Sequence, residues 1–422
     1  MSGAPAVGVR DGSLEIGGLG VADLARRFGT PLYVYAQAAI ERALDDYESA
    51  LAGRDHLVCY AVKANPTLAV LQLVARRGEG FDIVSVGELE RVLTAGGSPS
   101  RIVFSGVGKT DRELARALEV GIGCFNVESE GELVRLSTLA AAAGQEAPVS
   151  LRVNPDVDAR THAYISTGLR SNKFGIAHTR AREAFRRAAD LPGLRVVGID
   201  CHIGSQITEA GPFVDAADRV LDLVEAIERD GIAIHHLDLG GGLGIRYADE
   251  APPAPQAMLA PVLARIDARG HGHRRLLLEP GRSIVGEAGL LACTVIEMKT
   301  SADKCFCIVD AGMNDLIRPA LYDAWMPIVA AEPAPGVETV RCDVVGPVCE
   351  SGDWLGRDRP LAVRAGDVVA VLAAGAYSMS MASTYNSRPR PAEVMVTPDG
   401  TAHLVRDREP LADLFRGERL LP

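Results

Sequence analysis

The chain has 422 residues, 47% of them hydrophobic, more than one core usually serves, so two domains are expected. Acids outnumber bases by 55 to 44, for a formal net charge of −11 and a pI near 5.4, whereas nucleic-acid binding needs clustered Lys and Arg; no nucleic-acid partner is expected. Met1 to Gly18 lacks a basic region followed by an apolar stretch, and no run approaches the ~20 apolar residues that span a bilayer; the expected location is the cytoplasm, with no membrane partner.

In chain order, Ser13 to Ile16 reads as a strand and Val21 to Phe28 as a helix. From about Leu57 to Arg282, short β-like runs then alternate with amphipathic helical segments, the rhythm of consecutive parallel βα units. The runs count to eight: Leu57 to Lys63, Phe81 to Ser85, Arg101 to Ser105, Cys124 to Glu128, Val149 to Asn154, Arg195 to His202, His235 to Leu239 and Arg274 to Glu279. Thr110 with Glu113, and Ser129 with Glu132, fit the capping box, in which two side chains satisfy orphan N–H groups at a helix start. Eight units predict an α/β fold with a closed (β/α)8 TIM-type barrel. An open doubly wound sheet gives the same alternation but keeps its glycines in the first βα turn. Here they come late, at Gly240 to Gly244, where such barrels commonly bind phosphate.

After Arg282 the pattern turns β-rich, over Leu290 to Met298, Lys304 to Val309, Thr339 to Val348, Asp367 to Ala373 and Ala392 to Val396. The expected division is therefore a barrel over 31–282 and a mainly β domain built from 1–30 and 283–422. The 8 cysteines have no framework spacing, and Cys305 with Cys307 alternates in an apolar run; structural roles are expected, and no metal site.

Several residues carry chemistry. Lys63 ends the first β run, on the face of Cys59 and Ala61, at what would be the catalytic end of a barrel. A lysine there suits a Schiff base with an aldehyde, although a solvated strand-end lysine is the bland alternative. His202, in CHIGSQ, offers a ring to stack on an aromatic group or a satisfied core imidazole. Gly240-Gly241-Gly242-Leu243-Gly244 exposes N–H groups as a phosphate cradle does, or forms a plain turn. Glu279-Pro280-Gly281-Arg282 puts an acid, a small residue and a guanidinium at the barrel rim.

The strings YAVKAN (Tyr60 to Asn65), FDIVS (Phe81 to Ser85), HIGSQ (His202 to Gln206), GGGLG and EPGR, in that order and spacing, resemble the alanine-racemase-fold (fold-type III) pyridoxal-phosphate decarboxylases. The longer strings Arg152 to Ile176, Met313 to Trp325, Gly346 to Leu355 and Gly375 to Pro391 resemble the diaminopimelate decarboxylase family within that group. The resemblance implies pyridoxal 5'-phosphate as cofactor, conversion of meso-2,6-diaminopimelate to L-lysine and CO2 as the last step of lysine biosynthesis, and a homodimer whose active sites are shared across its interface.

Residue by residue, the resemblance implies that Lys63 binds the cofactor covalently, His202 stacks on its ring and Glu279 pairs with the ring nitrogen. Ser205, Gly241, Gly242, Gly281, Arg282 and Tyr377 would hold the phosphate, with Asp82 and Arg152 close by. Arg282, Arg318, Tyr322, Glu350 and Tyr377 would bind substrate, and Cys349 would reprotonate it. The chain departs from the family pattern at Ala163 after His162, at Val86 and at Gly312. Those departures leave room for a specialised paralogue with a related substrate; the alternatives are a decarboxylase acting on ornithine, arginine, carboxynorspermidine or a carrier-bound amino acid, and a non-catalytic cofactor-binding regulator.

Overall fold

The computed structural model describes residues 6–157, 173–301 and 303–422. Positions 158–172, including His162, Ala163 and the middle of the string Arg152 to Ile176, lie outside the described residues. The chain divides into two compact units, Leu44–Ile245 with Ala251–Ser283, and Met1–Ala43 with Arg246–Glu250 and Ile284–Pro422.

The first unit contains eight parallel strands in chain order: β1 (His56–Ala61), β2 (Gly80–Ile83), β3 (Ile102–Phe104), β4 (Cys124–Val127), β5 (Ala147–Asn154), β6 (Leu194–Asp200), β7 (His236–Asp238) and β8 (Arg275–Leu278). Each pairs with the next, and β8 closes onto β1 with Leu276 opposite His56 and Leu278 opposite Val58, which makes the barrel that the sequence predicts. A short strand, Ile176–Ala177, adds to β5. Every predicted β run of the barrel overlaps its strand, with the ends shifted by no more than two residues. The largest functional consequence is at β1, which stops at Ala61, so that Lys63 falls in a single 3-10 turn, Val62–Ala64.

The barrel lining follows from strand alternation. Leu57, Cys59, Val103, Cys124, Val197 and Leu277 pack on one another in an apolar cluster. In the C-terminal halves of the strands the lining turns polar, with Asp82, Asn126, Arg152, Asp200 and Asp238 all buried. Buried polar groups are tolerated only when paired, and this set is held by the network described below.

The two expected capping boxes differ. Thr110 Oγ1 accepts from the Glu113 N–H, and Glu113 returns the bond to the Thr110 N–H at 3.0 Å, a complete box. Ser129 caps Glu132 in the same way, but Glu132 does not reciprocate: it accepts from the Glu128 N–H and from the buried Lys109 Nζ at 2.7 Å. A buried ammonium nearby outcompeted the local N–H, because an unpaired charge there costs more than an unpaired amide.

The second unit is mainly β. Its large sheet runs Trp354–Leu361, Val340–Val345, Cys305–Val309, Gly289–Thr300, Leu32–Ala36, Ala392–Val396, Ala402–Arg406, with Val368–Val371 and Ile328–Ala330 branching from Gly289–Thr300. Ser13–Ile16 belongs to a three-stranded sheet and Val21–Phe28 is a helix, and both contribute to the core of this unit. The division falls at 43/44, not at residue 30, since Leu32–Ala36 pairs with Gly289–Thr300 and Ala392–Val396 and is buried along its whole length.

Candidate active site

The barrel unit brings one set of predicted residues together at the C-terminal ends of its strands. The Lys63 ammonium donates to Asp82 on β2, whose register sets Asp82 beside Ala61. Lys63 keeps about a third of its side chain exposed, while Asp82 is fully buried and its second oxygen, Oδ1, has no partner among the described residues. The amine is therefore held by a carboxylate and not crowded into the lining.

Two residues past the end of β6, the Gly241 N–H donates to His202 Nδ1 at 3.2 Å, which fixes the ring against the glycine turn. Burial, with Arg152 and Lys63 nearby, holds the His202 pKa well below the usual histidine range, so the ring is a neutral aromatic face. The glycine turn itself leaves no room for side chains. A Cβ on Gly241 would lie 2.1 Å from the Glu279 carbonyl oxygen, and one on Gly242, whose φ is +110°, would lie 2.3 Å from the Gly204 carbonyl oxygen. Beside it, Arg282 Nη2 donates to Ser205 Oγ at 3.0 Å, and Gly281 with Arg282 forms the turn into the short helix Arg282–Val285.

Glu279 follows β8, and its N–H donates to the Gly240 carbonyl at 2.7 Å, so the acid and the glycine turn are tied together. Its Oε1 accepts from Asn126 Nδ2 at 3.1 Å and from Ser105 Oγ at 3.3 Å. Burial, reinforced by Asp238, Asp82 and Asp200, raises the Glu279 pKa well above the ordinary carboxyl value. Arg152 donates to Glu128 at 2.9 Å and lies 3.8 Å from Asp200.

The second unit holds the other predicted residues. Arg318 is buried at the start of the helix Arg318–Tyr322, with its guanidinium 5.4 Å from the Tyr247 ring centroid and 5.7 Å from that of Tyr322. Cys349 and Glu350 are exposed; the Cys349 N–H donates to Asn386 Oδ1 at 2.8 Å, and Glu350 accepts from the Tyr385 hydroxyl. Tyr377 has a left-handed backbone, φ 53°, which a non-glycine residue adopts only when its surroundings impose it.

Several neighbours escaped the sequence reading. Asp200 precedes His202 by two residues and Asp238 precedes Gly240 by two, so strand alternation applied backwards from the motifs points to both. Asn126, Tyr247, Tyr385 and Asn386 carry no such local signal, being brought in by tertiary pairing.

The residues fit pyridoxal phosphate: an amine on a carboxylate, a neutral ring, a side-chain-free cradle beside an arginine, and a buried acid. A parallel barrel so equipped defines the pyridoxal-phosphate decarboxylase class. Residues 37–286 match the family model "Pyridoxal-dependent decarboxylase, pyridoxal binding domain". The chain is 55% identical over 413 residues to diaminopimelate decarboxylase from Pseudomonas aeruginosa and 54% identical over 412 residues to that from Vibrio cholerae, covering 98% of each chain in both cases. The crystal structure of diaminopimelate decarboxylase from Helicobacter pylori complexed with L-lysine aligns with a TM-score of 0.90 at 41% identity, over 94% of this chain and 98% of that one. The chain belongs to the diaminopimelate decarboxylase family.

Proposed function

We infer that the chain converts meso-2,6-diaminopimelate to L-lysine and CO2, in the cytoplasm, with pyridoxal 5'-phosphate as cofactor. The observation that carries this reading is full-length identity above half to decarboxylases of that substrate, joined to Lys63 and Glu279 at one end of a single barrel. No helix among the described residues is long and apolar enough to cross a membrane.

When bound, the cofactor supplies a ring that takes up the negative charge left as CO2 departs. Lys63 is the amine that would hold the aldehyde, and Asp82 orients that amine. His202 gives a neutral face for stacking, while Ser205, the backbone at Gly241 and Gly242, Gly281, Arg282 and Tyr377 are assigned to the phosphate. Glu279 faces the ring nitrogen, with Arg152 supporting the buried acids around it.

A carboxylate that must leave as CO2 cannot be anchored in a salt bridge, so the arginines belong at the far end of the substrate. The Arg318 guanidinium lies over the rings of Tyr247 and Tyr322, and its planar fork suits bidentate carboxylate binding. Together with Arg282, Tyr322, Glu350 and Tyr377 it is assigned to reading the distal amino-acid group, which ornithine and arginine present differently. Cys349 is assigned as the acid that returns a proton to the substrate carbon, from a second copy of the chain in a homodimer.

The test is the purified chain with pyridoxal phosphate, assayed by CO2 release on meso-diaminopimelate beside ornithine and arginine. At least a ~100-fold preference for diaminopimelate is expected. Comparable rates on ornithine would overturn the substrate assignment. A borohydride-trapped adduct without any CO2 release would mark a non-catalytic binder.

A further inference from the structure

Beneath the acid assigned to the ring nitrogen lies a second layer of carboxyls. Asp200, Asp238 and Glu279 are all buried, and each offers an oxygen within 4.8 Å of the others. Buried carboxyls whose oxygens lie that close, with one amide reaching both Asp238 and Glu279, cannot all be ionised, which calls for a proton between them. The pair is also clamped: Asp238 Oδ1 accepts from the Gly240 N–H at 3.0 Å, and Asn126 Nδ2 reaches Glu279 Oε1 at 3.1 Å and Asp238 Oδ2 at 3.5 Å.

The cations that act on Glu279, Lys63 and Arg152, are each ion-paired to another carboxylate. Lys63 is taken by Asp82 and Arg152 by Glu128, with Asp200 a further 3.8 Å contact of Arg152. Cys59, Ser105, Asn126 and the neutral His202 complete the surroundings and add no positive charge. Two cations thus face five carboxyls inside a barrel, where like charges so close cannot all ionise.

We propose that Asp238 and Glu279 share one proton at the barrel floor, with Asp200 as the third carboxyl that holds it there, and that Asp238 is thereby a positioning residue for the acid facing the ring nitrogen. The proposal rests on that reading of Glu279. On loading, the shared O–H bond breaks and an N–H bond forms at the ring nitrogen; both carboxyls are then ionised against one new cation, and no other reactant is needed. The titration directions agree, since burial lifts Asp238 to about 6 and holds Asp200 and Glu279 well above the ordinary carboxyl range.

The first measurement is infrared absorption of the full chain without cofactor above pH 8, where Glu79 and Glu88, both near 7, are already ionised. A protonated-carboxyl C=O band is expected in the wild type, lost in Glu279→Gln and in Asp238→Asn. No such band in the wild type, or a band unchanged by both substitutions, would overturn the proposal, and neither outcome depends on the cofactor binding as assigned. The second is the nitrogen NMR shift of ring-15N pyridoxal phosphate bound to the chain. Asp238→Asn is expected to lower the pH midpoint of ring-nitrogen protonation by at least about one unit, tenfold in proton affinity. A midpoint that does not move would overturn the positioning role even if the infrared band is present. Should Asp238→Asn fail to fold, the wild-type band and Glu279→Gln still decide.

Discussion

The two groups of candidate site residues are built in opposite ways. The barrel group rises from consecutive strand ends, and each member is tied to its neighbour: Lys63 to Asp82, His202 to Gly241, Ser205 to Arg282, Glu279 to Gly240. The group in the β-rich unit sits on turns and one short helix, with left-handed backbone at Asp323, Tyr377, Asn386 and Ser387 and an exposed thiol at Cys349. On the proposed assignments, chemistry common to a whole cofactor class would fall to the strand-end frame, and the reading of one substrate to segments whose sequence can change without disturbing a sheet.

Substitutions can break that comparison. Lys63→Ala should have the largest effect, a loss of CO2 release of about 10⁴-fold or more with no borohydride-reducible adduct at that position. A variant turning over at a normal rate would remove the barrel group from the chemistry. Cys349→Ala should lose roughly 10²- to 10³-fold while the cofactor stays bound. Mixed with Lys63→Ala at equal amounts, it should regain about a quarter of wild-type activity if each site draws on two chains. No recovery in the mixture would place Cys349 in the site of its own chain.

Gly241→Ala sharpens the contrast from the frame side. Its methyl would meet the Glu279 carbonyl, and overpacking of about 1–3 kcal/mol corresponds to a roughly 5- to 150-fold loss of cofactor affinity. A cofactor titration with unchanged affinity would mean that the cradle gives way easily. The smallest effect belongs to Thr110→Ala, away from both groups: about 1 kcal/mol of stability from the lost cap, read by denaturant unfolding, with kcat/KM unaltered.

The barrel was legible in the sequence because short apolar runs recur at regular spacing, several ending on a polar residue such as Asp200 or Asp238, and the intervening helices announce themselves by caps such as Thr110. Less local facts were not. Leu32–Ala36 reads as a generic apolar stretch before a helix, and only its partners Gly289–Thr300 and Ala392–Val396 assign it to the second sheet. Trp354–Leu361 carries Arg357, Asp358 and Arg359, which disguise a bulged strand as a polar loop. In the site, Lys63, His202 and Glu279 stood out through their motifs. Asp238 did not, because its importance comes from Glu279, forty-one residues on, and from Asn126 on another strand.

The link between Glu279 and the glycine turn has a wider consequence. The Glu279 N–H bonds to Gly240, while its carbonyl blocks any side chain on Gly241, so on the proposed assignments the grip on one end of the coenzyme and the partner of its far end would be cut from adjoining pieces of backbone. That arrangement works as a ruler of fixed length. A coenzyme analogue longer or shorter between phosphate and ring nitrogen would satisfy one end only, and adapting the protein to it would require rebuilding two neighbouring strands together.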